Sequence, residues 1–280
     1  MSGEPGALPI PLRGLLGDLN PAECKLHCAV WNGKEHPIDV LARSWEEWVQ
    51  WSRWRGARDD FNRRYIFAMA REKKATESWL FGGVFEVLGR KTTAHTHSYD
   101  LALREDIMAP YIKRLVVRFG LPARITRLNL ETYLERMSVG SVLEQPYAGE
   151  AFPGHDRIDH SLQELRVVVS QNRPDWRIAL EHMKGVYVIH DQVTGAPYVG
   201  AAYGGEGIWQ RLRRYTETLH GDNVALRALV ADKGTDYALQ NLRFALLEFW
   251  SNRTEDQDVT DRETYWKRVL MSRTFGNNRN

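Results

Sequence analysis

The sequence predicts an α+β protein in two parts. The C-terminal part has a small antiparallel sheet flanked by helices, and the N-terminal α+β part a curved, barrel-like sheet. Three observations predict this. "DLALRE" and "KRLVVRF" alternate apolar and polar residues, the pattern of a sheet with one wet face. Gly82-Gly83 interrupts the apolar run "SWLFGGVFEVLGRK", as a bulge or tight bend in a small barrel would. "KGVYVIHDQVTGAPYVG" (184–200) is two β-branched runs split by a polar turn at Thr194-Gly195, which reads as a hairpin.

The 280 residues allow one large domain or two ordinary ones. "EQPYAGEAFPGHD" (144–156), rich in glycine and proline, reads as the boundary loop. The expected organisation is a flexible or surface arm over 1–20 and an N-terminal α+β domain over 21–145. A connecting loop and helix follow over 146–183, and a C-terminal domain over 184–280.

In chain order, a strand is followed by a helix whose start is marked by Ser44 and Glu47, a capping-box pair. Trp45, Trp48, Trp51 and Trp54 follow at three-residue spacing. Each step of three turns a helix by about 300°, so the rings wind around the axis and cannot all face one core. Strand-like segments at 78–91, 97–105, 111–120 and 123–128 come next, then a short helix in "LNLETYLERM". Ile158, Leu162, Leu165 and Val169 give a helical stripe before "RPDWRIALEHM" leads into the hairpin. Beyond it lie the helices "GIWQRLRRYTETLH" and "NVALRALVAD", the strand "LRFALLEFW", the helix "DVTDRETYWKRVLMSR" and a final turn.

Composition removes several classes. No run approaches 18 apolar residues, so a membrane-spanning helix is excluded. The N-terminal stretch lacks a cationic leader and an apolar core, so no secretory signal is expected. Two cysteines, Cys24 and Cys28, suit a reducing cytoplasm, and their spacing to His27 and His36 matches no common zinc pattern. A net charge of +2 neither demands nor excludes nucleic acid.

Strand tyrosines such as Tyr187 and Tyr198 usually pack. The motifs around and beyond them change that reading. "GVY", ten intervening residues, "YVG", then "RLRRY", "RETYWK" and "GNN" come in one order that resembles the GIY-YIG nuclease family. The family's first motif matches Gly185-Val186-Tyr187 and its second Tyr198-Val199-Gly200; its helical arginine and the aromatic four residues on match Arg211 and Tyr215. Its glutamate matches Glu263 and its terminal asparagine Asn278, over roughly a third of the chain. Two departures stand out. "YVGAAYGGEGIWQR" is a few residues longer than in the shortest members, and Asn277 beside Asn278 allows a slip of one. Glu248 in "LLEFW" is a competing carboxylate, read as structural.

The resemblance implies a metal-dependent DNA endonuclease that hydrolyses phosphodiester bonds. Glu263 would anchor one Mg²⁺, for which Mn²⁺ would substitute, and Arg211 would bind the scissile phosphate through its planar fork. Tyr187 is the expected base, with Tyr198 and Tyr215 positioning water or phosphate or one of them taking that role. Asn278 would hold the last turn, and Gly200 belongs to the motif. Lys184 and His220 are weaker candidates, each with a plain competing role: a solvated lysine and a helix C-cap.

Arg53, Arg55, Arg58, Arg63 and Arg64 are interleaved with Trp51, Trp54, Phe61 and Tyr65, and "RLRRY" adds Arg213 and Arg214. Arginines hold phosphates and aromatics stack bases, so both clusters are candidate nucleic-acid contacts; the alternative is a solvated helix face. The curved sheet is similar in architecture to small barrels that read a flipped, modified base, with "RKTTAHTHSYD" (90–100) as contacting loop. The leading expectation is thus a cytoplasmic nuclease of restriction or phage defence, acting on double-stranded DNA chosen by the N-terminal domain. A homodimer or sequential nicking would account for a double-strand break. Two alternatives stay open: a structure-specific repair or recombination nuclease, and a catalytically silent nucleic-acid-binding protein.

Overall fold

The computed structural model describes residues 9–56, 58–122, 125–205 and 207–279. The chain is α+β and forms two compact units, divided between Tyr147 and Ala148. Among the described residues no helix is long and apolar enough to cross a membrane.

The first unit contains β1 (Ile10–Pro11), β2 (Cys24–Ala29), α1 (Pro37–Arg43), α2 (Trp45–Arg53), β3 (Trp54–Arg55), β4 (Tyr65–Arg71) and β5 (Ser78–Thr92). It continues with β6 (His97–Leu103), β7 (Leu115–Arg118), β8 (Arg127–Asn129), α3 (Leu130–Tyr133) and β9 (Ser138–Val142). Its sheet runs β1-β9-β7-β5-β4-β2-β8, with β6 paired to β5 and β3 to β6. β5, at 15 residues, is long enough to pair with β4, β6 and β7 at different places.

Gly82-Gly83 forms the bulge its sequence implies. The register passes from Phe67↔Val84 to Met69↔Phe81, so two glycines oppose one residue, and Gly83 takes φ +107°. Gly82 also seats the tryptophan helix. A Cβ there would stand 2.3 Å from the Trp48 ring, whose indole N–H donates to the Gly82 carbonyl at 2.8 Å. The other rings wind away as expected: Trp45 packs against Phe85, whereas Trp54 faces solvent. Ser44 caps the helix by accepting from the Glu47 N–H.

Two expectations are corrected. Residues 9–20 are no arm: β1 pairs with β9, and Leu12, Leu16 and Leu19 are buried beside Cys24 and Phe67. Their spacing of three to four residues makes an apolar stripe, and burying it outweighs the turn-rich look of the segment. Residues 1–8 lie outside the described residues, as do 123 and 124 of the strand expected over 123–128. Residues 148–183 are an integral part of the second unit, not a connection, because their strand and helices complete its sheet and core.

That unit contains β10 (Asp159–Ser161), α4 (Leu162–Ser170), α5 (Pro174–Leu180), β11 (Met183–Asp191), β12 (Pro197–Ala202) and α6 (Gly207–Thr218). It ends with α7 (Val224–Lys233), α8 (Thr235–Asn241), β13 (Leu242–Ser251) and α9 (Asp256–Val269). The sheet is antiparallel throughout, in the order β10-β13-β11-β12. On one face Tyr187 and Ile189 share a core with Leu162, Leu165, Trp176, Leu180 and Leu212. On the other, Val186, Val188, Val199 and Ala201 pack against Val259 of α9. Period-two alternation along β11 therefore separates the tyrosine from its valine neighbours.

Candidate active site

β11 delivers Tyr187 into the core, where its side chain is 1% exposed and its ring stacks on Phe244 at 4.7 Å. The strand partner of Tyr187 is Gly200 of β12. A Cβ at that position would lie 2.5 Å from the Tyr187 hydroxyl oxygen, so glycine is what lets the phenol cross over β12. One turn of α6 separates Arg211 from Tyr215, which puts both on one side of the helix. The Tyr215 hydroxyl meets that of Tyr187 at 3.2 Å, with the two rings edge to face. Gly221 lies against the Tyr215 ring, where a Cβ would come within 2.4 Å.

Tyr198, opposite Ile189 on β12, is half-buried and faces the same side as Tyr187. Burial raises its hydroxyl pKa, while hydrogen bonds from Tyr215 and Asn223 and the field of Arg211 pull it back down. Burial raises Tyr187 more strongly; Arg211 and the bond from Tyr215 again oppose it, and Glu263 adds to it. Tyr215 is raised well above the ordinary phenol value, by burial first and then by the two neighbouring tyrosines, which its O–H supports at its own expense. The electrostatic reach of Arg211 and Glu263 to both outer tyrosines places all five residues in one neighbourhood.

Arg211 has no carboxylate within ion-pair distance among the described residues, unlike Arg213 (Glu217, 3.5 Å) and Arg214 (Asp222) on the same helix. Glu263 on α9 is 18% exposed and stands 3.3 Å from the Lys267 ammonium one turn on. Among the described residues no group of three His, Cys, Asp or Glu side chains is arranged to hold a metal. The donors here are one carboxylate and phenol oxygens. That set suits a hard divalent ion held by a single carboxylate with water or phosphate completing its shell.

Asn278 is 2% exposed, and its amide pairs twice with the Val199 backbone, donating to the carbonyl and accepting from the N–H at 2.8 Å each. It acts as a surrogate strand along the outer edge of β12. Asn277 instead donates its own backbone N–H to the Pro197 carbonyl. Lys184 turns to the α9 side, bonded to the Thr254 carbonyl and 2.7 Å from Asp256. His220 follows α6, its Nδ1 accepting the Asp222 N–H at 3.0 Å; burial and then Arg227 lower its pKa. Glu248 is held by the Arg262 guanidinium and the Trp266 N–H, away from the tyrosines on the α9 face.

In the first unit Arg63 forms a two-pronged pair with Glu131 and Arg64 bonds Glu86 at 3.0 Å, while Phe61 and Tyr65 are core residues. Arg53 and Trp54 face a cleft, and the side chain of Arg55 lies outside the described residues. Cys24 and Cys28 are buried free thiols; burial pushes Cys24 up to about 12 and Cys28 higher. Asn223, Phe244 and Gly221 contribute to the site without a place in the sequence motifs. Only Asn223 left a signal, as the polar residue before "VALRAL", where its side chain caps α7.

No protein-family model matches the chain, and no curated protein does. Two solved structures are similar: the catalytic domain of the homing endonuclease I-TevI and a point mutant of the catalytic domain of the intron endonuclease I-TevI. The first is 21% identical over 35% of this chain and 98% of that one, with a TM-score of 0.29. The second is 21% identical over 34% and 92%, with a TM-score of 0.28.

Proposed function

We propose that this protein is a metal-dependent endonuclease that hydrolyses phosphodiester bonds in double-stranded DNA, with its second unit as the catalytic one. The observation that supports this most is the pairing of an uncompensated arginine, Arg211, with three convergent phenols and a lone carboxylate. Such a set lacks a side-chain nucleophile with its own base, but it has what in-line attack of water on a phosphate requires.

Arg211 binds two non-bridging phosphate oxygens through its fork and neutralises the charge that grows on them. Glu263 is the residue that would hold Mg²⁺ or Mn²⁺, which when bound supplies Lewis-acid stabilisation of the leaving oxygen and of the phosphate charge. A tyrosine that has already given up its own proton to solvent, a phenolate, accepts the proton of the attacking water. Tyr187, the first choice from sequence, is closed to bulk solvent, so we assign the accepting hydroxyl to half-buried Tyr198. Tyr215, whose pKa burial and its two tyrosine neighbours raise, donates its hydrogen bond to whichever neighbour carries the phenolate. Tyr187 and Tyr215 then form the dry end of a hydroxyl row whose wet end is Tyr198. Lys184 and Asn278 keep the sheet and its edge strand in place.

Restriction or phage defence is the setting we propose, with the first unit selecting the DNA, modified or not. A deciding experiment compares wild type, Glu263→Ala and Arg211→Ala with Mg²⁺ or EDTA. The substrates are unmodified, 5-methyl- and hydroxymethylcytosine duplexes and a branched duplex. Magnesium-dependent cutting lost in both variants is the expected result, and preference for the branched duplex would move the assignment to repair. A wild type that cuts none of them yet retards DNA on a gel leaves a binding protein and overturns the proposal.

A further inference from the structure

We infer that the first unit holds one unstacked nucleotide of a nucleic-acid strand in the cleft between β3 and the β5–β6 hairpin, its base on Trp54 and its phosphate on Arg53 and Lys91. That the ligand is nucleic acid rests on the reading of the second unit as a nuclease; the shape and charge of the cleft stand apart from it.

Two distant stretches of sequence meet here. β3 pairs with β6 through Trp54↔Ser98, and β6 pairs with β5 through Lys91↔Ser98 and Arg90↔Tyr99. The tryptophan helix thereby brings its last turn against the hairpin. The resulting cleft has a volume of about 430 Å³, within the range of small-ligand sites. Trp54 is 58% exposed, the outlier among four tryptophans of which Trp48 is wholly buried. Its N–H is directed to Gln50 at 3.3 Å, which helps to fix the ring where it lines the cleft. A large exposed aromatic at a cleft lined by cations is the arrangement that stacks a base while its phosphate is neutralised.

The charge is unbalanced in the same direction. Arg53, Arg90 and Lys91 line the cleft against one carboxylate, Asp100. Arg90 is committed to the Phe61 and Arg63 carbonyls, so its charge is fixed in place. The other two are uncommitted among the described residues. Arg53 Nε is buried without any hydrogen-bond partner, and Lys91 has no carboxylate within ion-pair distance. With no carboxylate within ion-pair distance among the described residues, the Arg53 guanidinium keeps its charge for an anion in the cleft it lines. The Tyr99 hydroxyl, also at the cleft, is taken up by Asp59 at 2.7 Å and needs nothing from a ligand. The ligand is therefore planar at one end and anionic at the other, as a nucleotide is.

The test uses the full chain carrying Glu263→Ala, so that binding is read without cutting, and a fluorescein-labelled single strand of about 12 nucleotides, within the usual single-strand site size, followed by anisotropy. Trp54→Ala should weaken binding about 5- to 150-fold, the range for loss of one base–aromatic stack. Lys91→Gln should lower the slope of log affinity against log salt by about 0.7, one single-strand phosphate contact. Arg53→Gln should weaken binding with no change in melting temperature. If Trp54→Ala and Arg53→Gln both bind within about twofold of the parent, with the salt slope unmoved by Lys91→Gln, the inference is overturned. The nuclease reading fails separately. A chain that binds through this cleft but cuts nothing loses that reading and keeps this one, and a Glu263-dependent nuclease indifferent to Trp54→Ala does the reverse.

Discussion

Gly200 and the Tyr187 hydroxyl occupy the same space: a Cβ on the glycine would stand 2.5 Å from the phenol oxygen. The second motif glycine is therefore a fixture of the first motif's tyrosine. Gly200→Ala should destabilise the second unit by about 1–3 kcal/mol, the cost of overpacking a tight core. It should also cut kcat/KM at least about tenfold, because Tyr187 would swing away from Tyr215. Gly205→Ala, with open space around it, serves as control and should change neither. Thermal melts and cleavage rates on the pair check this.

The pH profile separates the tyrosines. A phenol acting as base must lose its proton, and burial raises Tyr198 above the ordinary value. Below that pKa, cleavage should rise about tenfold per pH unit. Tyr198→Phe should lose about 10²–10⁴ in kcat/KM together with that rise. Tyr187→Phe should lose activity but keep the slope. An unchanged slope in Tyr198→Phe would return the role to Tyr187.

Alkali should unfold the two units in sequence. Cys24 rises from 9.0 to about 12 on folding, and Cys28 also rises. The folded state thus keeps protons the unfolded chain has lost, and stability present below about pH 9 declines above it. In the second unit Tyr187, Tyr198 and Tyr215 are all raised from 10.0, so their contribution declines only above that value. Calorimetry between about pH 8 and 11 should show the first unit's transition falling before the second's. Cys28→Val should reduce the early decline.

Asn278→Ala leaves a buried N–H and carbonyl of Val199 without partners. Each such loss costs roughly 1–3 kcal/mol, so a drop of about 2–6 kcal/mol is expected. Asn277→Ala keeps the backbone bond to Pro197 and should lose less. Comparing the two melting temperatures also fixes which asparagine holds the edge.

Local chemistry was legible in the sequence, and pairing across the fold was not. The two glycines of the bulge, the cap at Ser44 and the hairpin at Thr194-Gly195 are set by neighbours a few residues away, and each appears where its residue types require it. The order of tyrosines, arginine and glutamate led to residues that share one neighbourhood. By contrast, Arg63 and Arg64 read as free cations because Glu131 and Glu86 lie 68 and 22 residues away. Leu12, Leu16 and Leu19 were hidden among prolines and glycines, although their spacing carried the signal. Phe244, which stacks on Tyr187, lies in an apolar run where nothing distinguishes one aromatic from another.

β12 is the last strand of its sheet, and an open strand edge is an invitation to any passing strand. Here the invitation is withdrawn at Val199, whose outward groups are spent on Asn278, and at Pro197, which has no N–H and whose carbonyl is taken by Asn277. Two copies of this unit that joined their sheets along that edge would first have to displace both asparagines from it.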